Sequence, residues 1–271
     1  MSVRVVSASQ AAELDAAAIA AGVPSRSLMQ AAGRAAAGLV LSRFPLESSR
    51  GVAVYAGPGN NGGDAWIVAA ELARQGVRVR MFEASPSRTP DAIDARERAS
   101  AMLTHTPPDG SEGVIVDGLL GTGSHGAPRA DIAEAIGRIQ FARSSTDGSG
   151  ARIVSLDIPS GIDATTGDAP GVHVRADLTV TFGAMKRGLL VNRDAAGAIV
   201  VVDIGLGERA AHSGDAIALF DRDMTIDAVA PVAADAHKGT RKRLVIVGGS
   251  RGMAGSTILA ARGALRSGIG M

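Results

Sequence analysis

The feature that most constrains the fold of this chain is a glycine-rich stretch, residues 57–64, with the sequence Gly-Pro-Gly-Asn-Asn-Gly-Gly-Asp. The apolar segment before it, Val52–Ala56, has the composition of a short buried strand, and the Ala-rich segment after it, Ala65–Arg74, that of a helix. Glycines let a backbone turn tightly and approach a ligand closely. The free N–H groups and the dipole of a helix N-terminus attract anions. The stretch therefore predicts a strand, loop and helix that together bind an anion.

Strand and helix patterns alternate along most of the chain. The other predicted strands are Val77–Phe82, Val114–Val116, Ile153–Leu156, Leu178–Phe182 and Ile199–Val202. The other predicted helices are Gln10–Ala21 with Ser9 as its N-cap, Ser27–Arg43, Asp91–Leu103 and Asp131–Phe141, and Ser144–Gly150 is predicted as a polar loop. Such alternation is typical of a parallel sheet covered by helices on both faces. We predict an α/β fold, a Rossmann-like three-layer αβα sandwich with a mostly parallel central sheet.

The composition changes after Val202, which indicates a domain boundary. Residues 208–236 are rich in Ala and Asp and have little periodicity, as expected of a connection. A strand over Arg243–Val247, a glycine loop over 248–252 and a helix to about Ser267 are predicted beyond it. One strand and one helix are too few to bury a core of their own. We predict a main domain over residues 1–222, followed by a linker and an incomplete second domain over 223–271.

Composition excludes several classes of function. The net charge of +1 argues against a nucleic-acid-binding arm. The chain has no cysteine, which excludes disulfides, thiolate metal sites and a cysteine nucleophile. No apolar run approaches the length of a membrane span, and the N-terminus lacks the apolar core of a signal peptide. We therefore expect a cytoplasmic protein with no membrane partner.

Three aspartates come at the ends of predicted strands or in the loops that follow them. Asp117 and Asp157 directly follow apolar strands, and Asp64 ends the glycine stretch. In a parallel α/β sheet the ligand site lies outside the carboxyl ends of the strands, so these carboxylates should converge on one crevice. Carboxylate, amide, hydroxyl and carbonyl oxygens suit an alkali or alkaline-earth ion and not zinc.

Residues 57–62 also match the glycine spacing of the dinucleotide fingerprint, which leaves a second hypothesis open. Glu83 lies where a ribose-binding acid would be expected in an NAD-dependent dehydrogenase. No Lys-Ser or Lys-Thr follows the glycines, so a nucleoside-triphosphate P-loop is excluded. His125 is either a proton carrier or a polar loop residue. Lys186 and Arg187 either reach a phosphate or form a solvated strand end.

Several motifs, in order and at suitable spacing over residues 8–207, resemble those of the NAD(P)HX epimerase family. They are Gly59-Asn-Asn-Gly-Gly-Asp64, Val116-Asp-Gly-Leu-Leu-Gly-Thr-Gly123, Asp157-Ile-Pro-Ser-Gly161, Thr181-Phe-Gly-Ala-Met-Lys-Arg-Gly188 and Val201-Val-Asp-Ile-Gly205. Residues 237–271 resemble the beginning of the ADP- or ATP-dependent NAD(P)HX dehydratase, which bacteria commonly fuse behind the epimerase. The motifs of that second activity would lie beyond Met271, so we expect no dehydratase activity here.

The resemblance implies an isomerase that interconverts the R and S epimers of hydrated NADH and NADPH, which are its substrates and not its cofactors. A potassium ion, one per subunit, would be held by Asn61, Asp117 and Ser160. Asp157 would be the general acid/base, with His125 as a second catalytic candidate because some members carry a lysine in that loop. The partners that the resemblance implies are a second copy of the chain in a homodimer and a functionally coupled dehydratase. The substrate would be bound by Asn60, Asn61, Gly62, Gly63, Asp64, Gly121, Thr122, Gly123, Ser124, His125, Gly126, Ala127 and Asp157.

Two alternatives remain at this point. One is the NAD-dependent dehydrogenase, in which the glycine stretch would hold a hydride-carrying cofactor. The other is a catalytically silent nucleotide-binding protein on the same fold.

Overall fold

A six-stranded parallel sheet forms the centre of the computed structural model, which describes residues 4–103, 106–143, 150–206, 217–219, 222–229, 231, 233–237, 239 and 243–269. In chain order the elements are β1 (Arg4–Val6), α1 (Ala8–Ala20), α2 (Ser25–Arg43), α3 (Pro45–Ser49), β2 (Val52–Ala56), α4 (Asn60–Arg74), β3 (Val79–Glu83), α5 (Pro90–Ser100), β4 (Val114–Gly118), α6 (Ala130–Arg143), β5 (Arg152–Leu156), β6 (Leu178–Phe182), β7 (Met185–Lys186), α7 (Arg187–Val191), α8 (Arg193–Ala196), β8 (Ala198–Val202), β9 (Ile217–Ala218), α9 (Arg222–Ala228) and α10 (Gly255–Arg266).

The strand order of the main sheet is β3-β2-β4-β5-β6-β8, and every neighbouring pair is parallel. Alternate residues of β2 face opposite sides, as the period of two in a strand requires. Val52 and Val54 belong to the buried cluster that α2 and α4 complete, whereas Ala53 and Tyr55 belong to the cluster that α6 completes. The sheet is therefore covered on both faces, which confirms the predicted three-layer α/β fold.

A second, three-stranded sheet was not predicted. In it β1 lies between β7 and β9, parallel to β7 and antiparallel to β9. Val6 is the register partner of Lys186. Strands of two or three residues are too short to leave a periodic pattern in the sequence, yet this pairing fixes the backbone that carries Lys186.

Some predicted elements need correction. The helix after the glycine stretch begins at Asn60 and not at Ala65, so Gly62 and Gly63 lie inside it. The first helix is capped by Ser7 and not by Ser9, because Ser7 and Gln10 form a capping box that starts the helix earlier.

The second unit also differs from its prediction. The strand predicted over 243–247 is absent, since residues 243–250 have no regular secondary structure. The polar loop predicted over Ser144–Gly150 lies almost wholly outside the described residues. Tertiary contacts divide the chain into two units, Met1–Leu219 and Phe220–Met271. Within the described ranges, no helix is both long and apolar enough to cross a membrane.

Candidate functional site

A cavity of about 760 Å³ opens at the carboxyl ends of the parallel strands. Its walls are the loops that follow β2, β3, β4 and β5, together with side chains of α1 and α2. The volume lies in the range of small-molecule sites. The aspartates and the glycine stretch singled out in the sequence thus meet at one edge of the sheet.

The glycine stretch is required for close packing. A Cβ atom on Gly57 would collide with the carbonyl oxygen of Leu119, and one on Gly62 with the carbonyl oxygen of Gly57. The loops after β2 and β4 can therefore touch only through glycine. Gly59 is the N-cap of α4, and no side chain caps this helix end. The N-terminus of α4 is thus suited to receive an anion in the cavity.

Asn61 joins three strand ends. Its Nδ2 group donates to the carbonyl oxygens of Leu120 at 2.8 Å and Leu156 at 3.1 Å. These carbonyls belong to the end of β5 and to the loop after β4, while Asn61 itself follows β2. Its Oδ1 atom is buried and accepts no hydrogen bond. A buried acceptor without a donor is costly, so this atom is available to a ligand.

Asp117 is a fully buried carboxylate within β4 and accepts four hydrogen bonds. The donors are the Ser160 hydroxyl at 2.6 Å, the Ser160 N–H and Ser155 hydroxyl at 2.9 Å, and the Leu119 N–H at 3.2 Å. Burial raises the pKa of Asp117, and the hydrogen bonds from Ser160 and its neighbours oppose that rise. Asp117 therefore holds the loop after β5 against the loop after β4.

The residues expected to hold a potassium ion lie together. Ser160 Oγ accepts a hydrogen bond from the Leu120 N–H at 2.9 Å. The carbonyl oxygen of Leu120 in turn accepts a hydrogen bond from Asn61 Nδ2. The atoms of these three side chains that could coordinate a cation are all oxygens. Among them, Asn61 Oδ1 accepts no hydrogen bond. No group of three or more His, Cys, Asp or Glu that could hold a metal occurs among the described residues. With Asp117 as its one carboxylate, this set fits a monovalent cation better than a divalent one.

Asp157 adopts a left-handed backbone conformation with φ of +64°, the one non-glycine residue with positive φ in the described part of the chain. Such a conformation is uncommon for a non-glycine residue and is often found at functional sites. It aims the carboxylate at two partners. Oδ2 accepts from the Thr122 hydroxyl at 2.7 Å and from its N–H at 3.3 Å. Oδ1 lies 2.5 Å from Nζ of Lys186.

Lys186 corrects one sequence-based expectation. It is not a solvated strand end, since only 3% of its side chain is exposed. It lines the cavity, and contact with a phosphate there stays a prediction. Its Nζ group also donates to the carbonyl oxygen of Phe182 at 2.7 Å. Its burial follows from the pairing of β7 with the distant strand β1, which the sequence pattern does not show.

The carboxyl groups of the cavity differ in charge state. Burial raises the pKa of Asp157, but the Lys186 ammonium and the hydrogen bonds from Lys186 and Thr122 outweigh it, so the net shift is downward. Burial, with the charges of Asp157 and Asp15, holds the pKa of Asp64 well above its usual range. Burial also raises the pKa of Asp15, a residue of α1 at the rim that sequence reasoning missed. A carboxyl group with a lowered pKa and one with a strongly raised pKa thus share one cavity.

The remaining predicted residues divide into two sets. His125 lies at the rim with its side chain 66% exposed, and its Nδ1 is 3.2 Å from Asp163 Oδ2. Lys186, and not His125, contacts Asp157. Gly63 does not line the cavity, because it packs against Met29 and Ala92. Asp117, Ser160, Gly62 and Gly126 also stay outside the lining. The predicted residues that line the cavity are Asn60, Asn61, Asp64, Gly121, Thr122, Gly123, Ser124, His125, Ala127 and Asp157.

Glu83, the acid that the dehydrogenase hypothesis needs, is engaged elsewhere. Its Oε1 lies 2.8 Å from Nε of Arg96 and accepts from the Ser87 N–H at 3.3 Å. It is also absent from the cavity wall. The geometry does not favour a dehydrogenase.

Fold and site together define an α/β protein with a ligand cavity at the carboxyl edge of a parallel sheet, built around a glycine loop, a helix N-terminus and a buried carboxylate–ammonium pair. The family described as YjeF-related protein N-terminus matches residues 25–188. The chain belongs to this family.

Relatives support that assignment. The bifunctional NAD(P)H-hydrate repair enzyme Nnr of Hyperthermus butylicus is 38% identical over 262 residues, which cover 92% of this chain and 46% of the relative. The enzyme of the same name from Escherichia coli is 36% identical, over 90% of this chain and 47% of the relative. The chain thus spans about half the length of the curated relatives it matches.

A solved structure supports the fold. The crystal structure of the yeast protein YNL200c superposes with a TM-score of 0.63 at 24% identity, covering 73% of this chain and 87% of that one.

Replacement of Asp64 by Asn tests the raised pKa of this carboxyl group through the pH dependence of the free energy of unfolding. A carboxyl group whose pKa is raised by folding stabilises the folded state below its unfolded pKa of about 3.9, and that contribution is lost as pH rises through the folded pKa. The Asp64→Asn variant should therefore gain stability relative to wild type as pH rises from 3.5 to 8, measured by urea unfolding. A stability difference that does not change with pH would contradict the assignment.

Proposed function

We propose that this chain is an NAD(P)H-hydrate epimerase, which interconverts the R and S epimers of hydrated NADH and NADPH. Family membership supports the proposal, as do relatives whose name is NAD(P)H-hydrate repair enzyme. The observation that carries it is the buried pair of Asp157 and Lys186, which shares a cavity with the glycine stretch. Such a cavity can hold a dinucleotide and place one ionised carboxylate at its reactive ring.

The two ends of the cavity suit different parts of this substrate. The N-terminus of α4 offers backbone N–H groups, which suit the pyrophosphate. The apolar side chains of Leu14, Leu28 and Phe182 also line the cavity, and an apolar wall suits a nicotinamide ring. Asp157 would then lie beside the ring.

The chemistry needs no redox step. The hydroxyl group stands on a ring carbon bonded to the ring nitrogen, so its loss is assisted by the nitrogen lone pair and leaves an iminium cation. The carbon–oxygen bond breaks as the leaving hydroxyl takes a proton and departs as water. Water then adds to the opposite face and gives up a proton, which inverts the centre. A carboxylate next to the ring stabilises the cation.

Two carboxyl groups with different pKa values can carry these protons. In our proposal Asp64, whose pKa burial and neighbouring acids hold well above its usual range, protonates the leaving hydroxyl. Asp157, held ionised by Lys186, stabilises the cation and accepts the proton of the incoming water. Paired groups whose environments separate their pKa values are a recurring basis for acid and base roles. One turnover thus leaves the proton on Asp157 instead of Asp64. Exchange with solvent water returns it, and the reverse turnover uses the same two groups with their roles exchanged.

We further propose a potassium ion at Asn61, Asp117 and Ser160. The buried Oδ1 atom of Asn61, which accepts no hydrogen bond, supports this site. When bound, the ion would supply fixed positive charge beneath the substrate loop. The residues themselves hold the loops after β2, β4 and β5 together through hydrogen bonds.

The product would pass to a dehydratase. The relatives are named bifunctional, and the chain covers only about half of their length. We therefore propose that the epimerase acts together with a dehydratase that converts the S epimer back to NADH or NADPH. The homodimer expected from the family resemblance stays a prediction.

An epimer-exchange assay tests the proposed activity. Purified protein incubated with the pure S epimer should produce the R epimer faster than the spontaneous reaction, measured by chromatography. Asp157→Asn should lower the rate about a hundredfold or more, because it removes the charged proton acceptor. Asp168→Asn, an exposed aspartate outside the cavity, is the matched control. If the wild-type protein does not accelerate the exchange, the proposed function is wrong. If Asp157→Asn retains the wild-type rate, Asp157 has no part in the mechanism.

Cation exchange tests the potassium site by two independent readouts. Wild type in potassium chloride should show a higher Tm and a faster exchange rate than in choline chloride at equal ionic strength. The Tm should rise with potassium concentration, because an ion that binds only the folded state stabilises it by about 2.7 kcal/mol at a hundred times its Kd. Identical Tm values and rates in the two salts would contradict the site.

A further inference from the structure

Arg88 lies in the loop between β3 and α5, beside the glycine stretch. Its backbone N–H donates to the carbonyl oxygen of Pro58 at 2.8 Å. The next residue, Thr89, donates from its hydroxyl to Asn60 Oδ1 at 2.5 Å. These two bonds fix the backbone of Arg88 beside the N-terminus of α4. Arg88 lines the cavity there and is exposed.

The same loop is attached to the start of α6 by a hydrogen bond from the Ser85 hydroxyl to Asp131 Oδ2. This contact brings a second arginine, Arg129, to the same end of the cavity. Arg88 and Arg129 form no ion pair with any residue that the structure describes. Asp91 also lines this end, while both oxygens of Asp131 already accept hydrogen bonds, from Ser85 and from the Ile132 N–H. The hydrogen bonds from Ser85 and Ile132 lower the pKa of Asp131, and the charge of Arg129 adds to that shift, so Arg88 is the guanidinium more fully available to a ligand.

The acidic residue near this loop, Glu83, is not available to bind a ribose hydroxyl. In dinucleotide-binding α/β proteins, an acid at the end of the strand next to the glycine-loop strand binds the ribose 2′-hydroxyl, whereas a nearby arginine accommodates a 2′-phosphate. Here Glu83 ends β3, the neighbour of β2, but is paired with Arg96 and lies outside the cavity. Arg88, five residues after Glu83, does line the cavity. This arrangement favours a phosphate over a free hydroxyl.

The order of the strands places the two halves of a dinucleotide. Asp157 follows β5, the glycine stretch follows β2 and Arg88 follows β3, in a sheet ordered β3-β2-β4-β5. A dinucleotide with its nicotinamide ring at Asp157 and its pyrophosphate at α4 therefore extends its adenosine toward Arg88. We propose that Arg88, assisted by Arg129, binds the 2′-phosphate of this substrate, so that the enzyme prefers hydrated NADPH to hydrated NADH. The proposal rests on the proposed function for the identity of the substrate.

Kinetics with both substrates tests this selectivity. Wild type should show a higher kcat/KM for hydrated NADPH, and Arg88→Ala should lower the ratio of the two kcat/KM values about tenfold or more, since a charged hydrogen bond is lost. Arg88→Lys should give an intermediate ratio, because lysine keeps the charge without the planar fork. Arg193→Ala, an exposed arginine outside the cavity, should leave the ratio unchanged.

Binding of adenosine fragments separates this proposal from the proposed function. Wild type should bind adenosine 2′,5′-bisphosphate more tightly than AMP in calorimetry, and Arg88→Ala should remove the difference, whether or not the protein epimerises anything. Equal losses for both substrates and both fragments would show that Arg88 contacts a group common to them, which overturns the proposal. A wild type that does not distinguish the fragments overturns it as well.

Discussion

The ion pair between Lys186 and Asp157 is the interaction on which the site depends. It joins the end of β5 to β7, in a region where both groups are almost wholly removed from water. A buried charge without its partner is strongly destabilising, so each residue requires the other. The positive φ of Asp157 and the pairing of β7 with β1 both serve to bring the two groups together. The pairing of the N-terminal strand β1 with β7 therefore supports the position of Lys186 in the site.

The pair also determines the charge of its neighbours. Because Lys186 keeps Asp157 ionised, a second carboxyl in the same cavity meets both burial and a like charge, and Asp64 favours its proton for these reasons. The pKa values of two chemically similar side chains are therefore shifted in opposite directions. Asp117 lies apart from this arrangement, since its oxygens are occupied by four protein hydrogen bonds and its part is to hold the loops.

Much of the fold could be predicted from the sequence, because β2, β4, β5, β6 and β8 are apolar segments and their connections follow the βα pattern. The rule for strand ends also placed Asp64 and Asp157 in one cavity, but its extension to Asp117 was wrong, because that carboxylate is fully buried behind the cavity wall. The start of α4 at Asn60 could not be predicted in this way. Glycine and asparagine have low helix propensity, and here tertiary packing overrides that propensity. Nor could the sequence show the burial of Lys186, which depends on a pairing between residues 180 positions apart.

The most direct test of this account is a titration of the aspartate carboxyl groups by carbon-13 NMR, with Asp64→Asn and Asp157→Asn used to assign the two resonances. We predict that Asp157 titrates below the ordinary pKa of an aspartate and Asp64 well above it. It also predicts that Lys186→Met moves the Asp157 transition to higher pH. If instead Asp157 titrates at the same pH as Asp64, or above it, the Lys186 pair does not separate the two groups and the central claim is wrong.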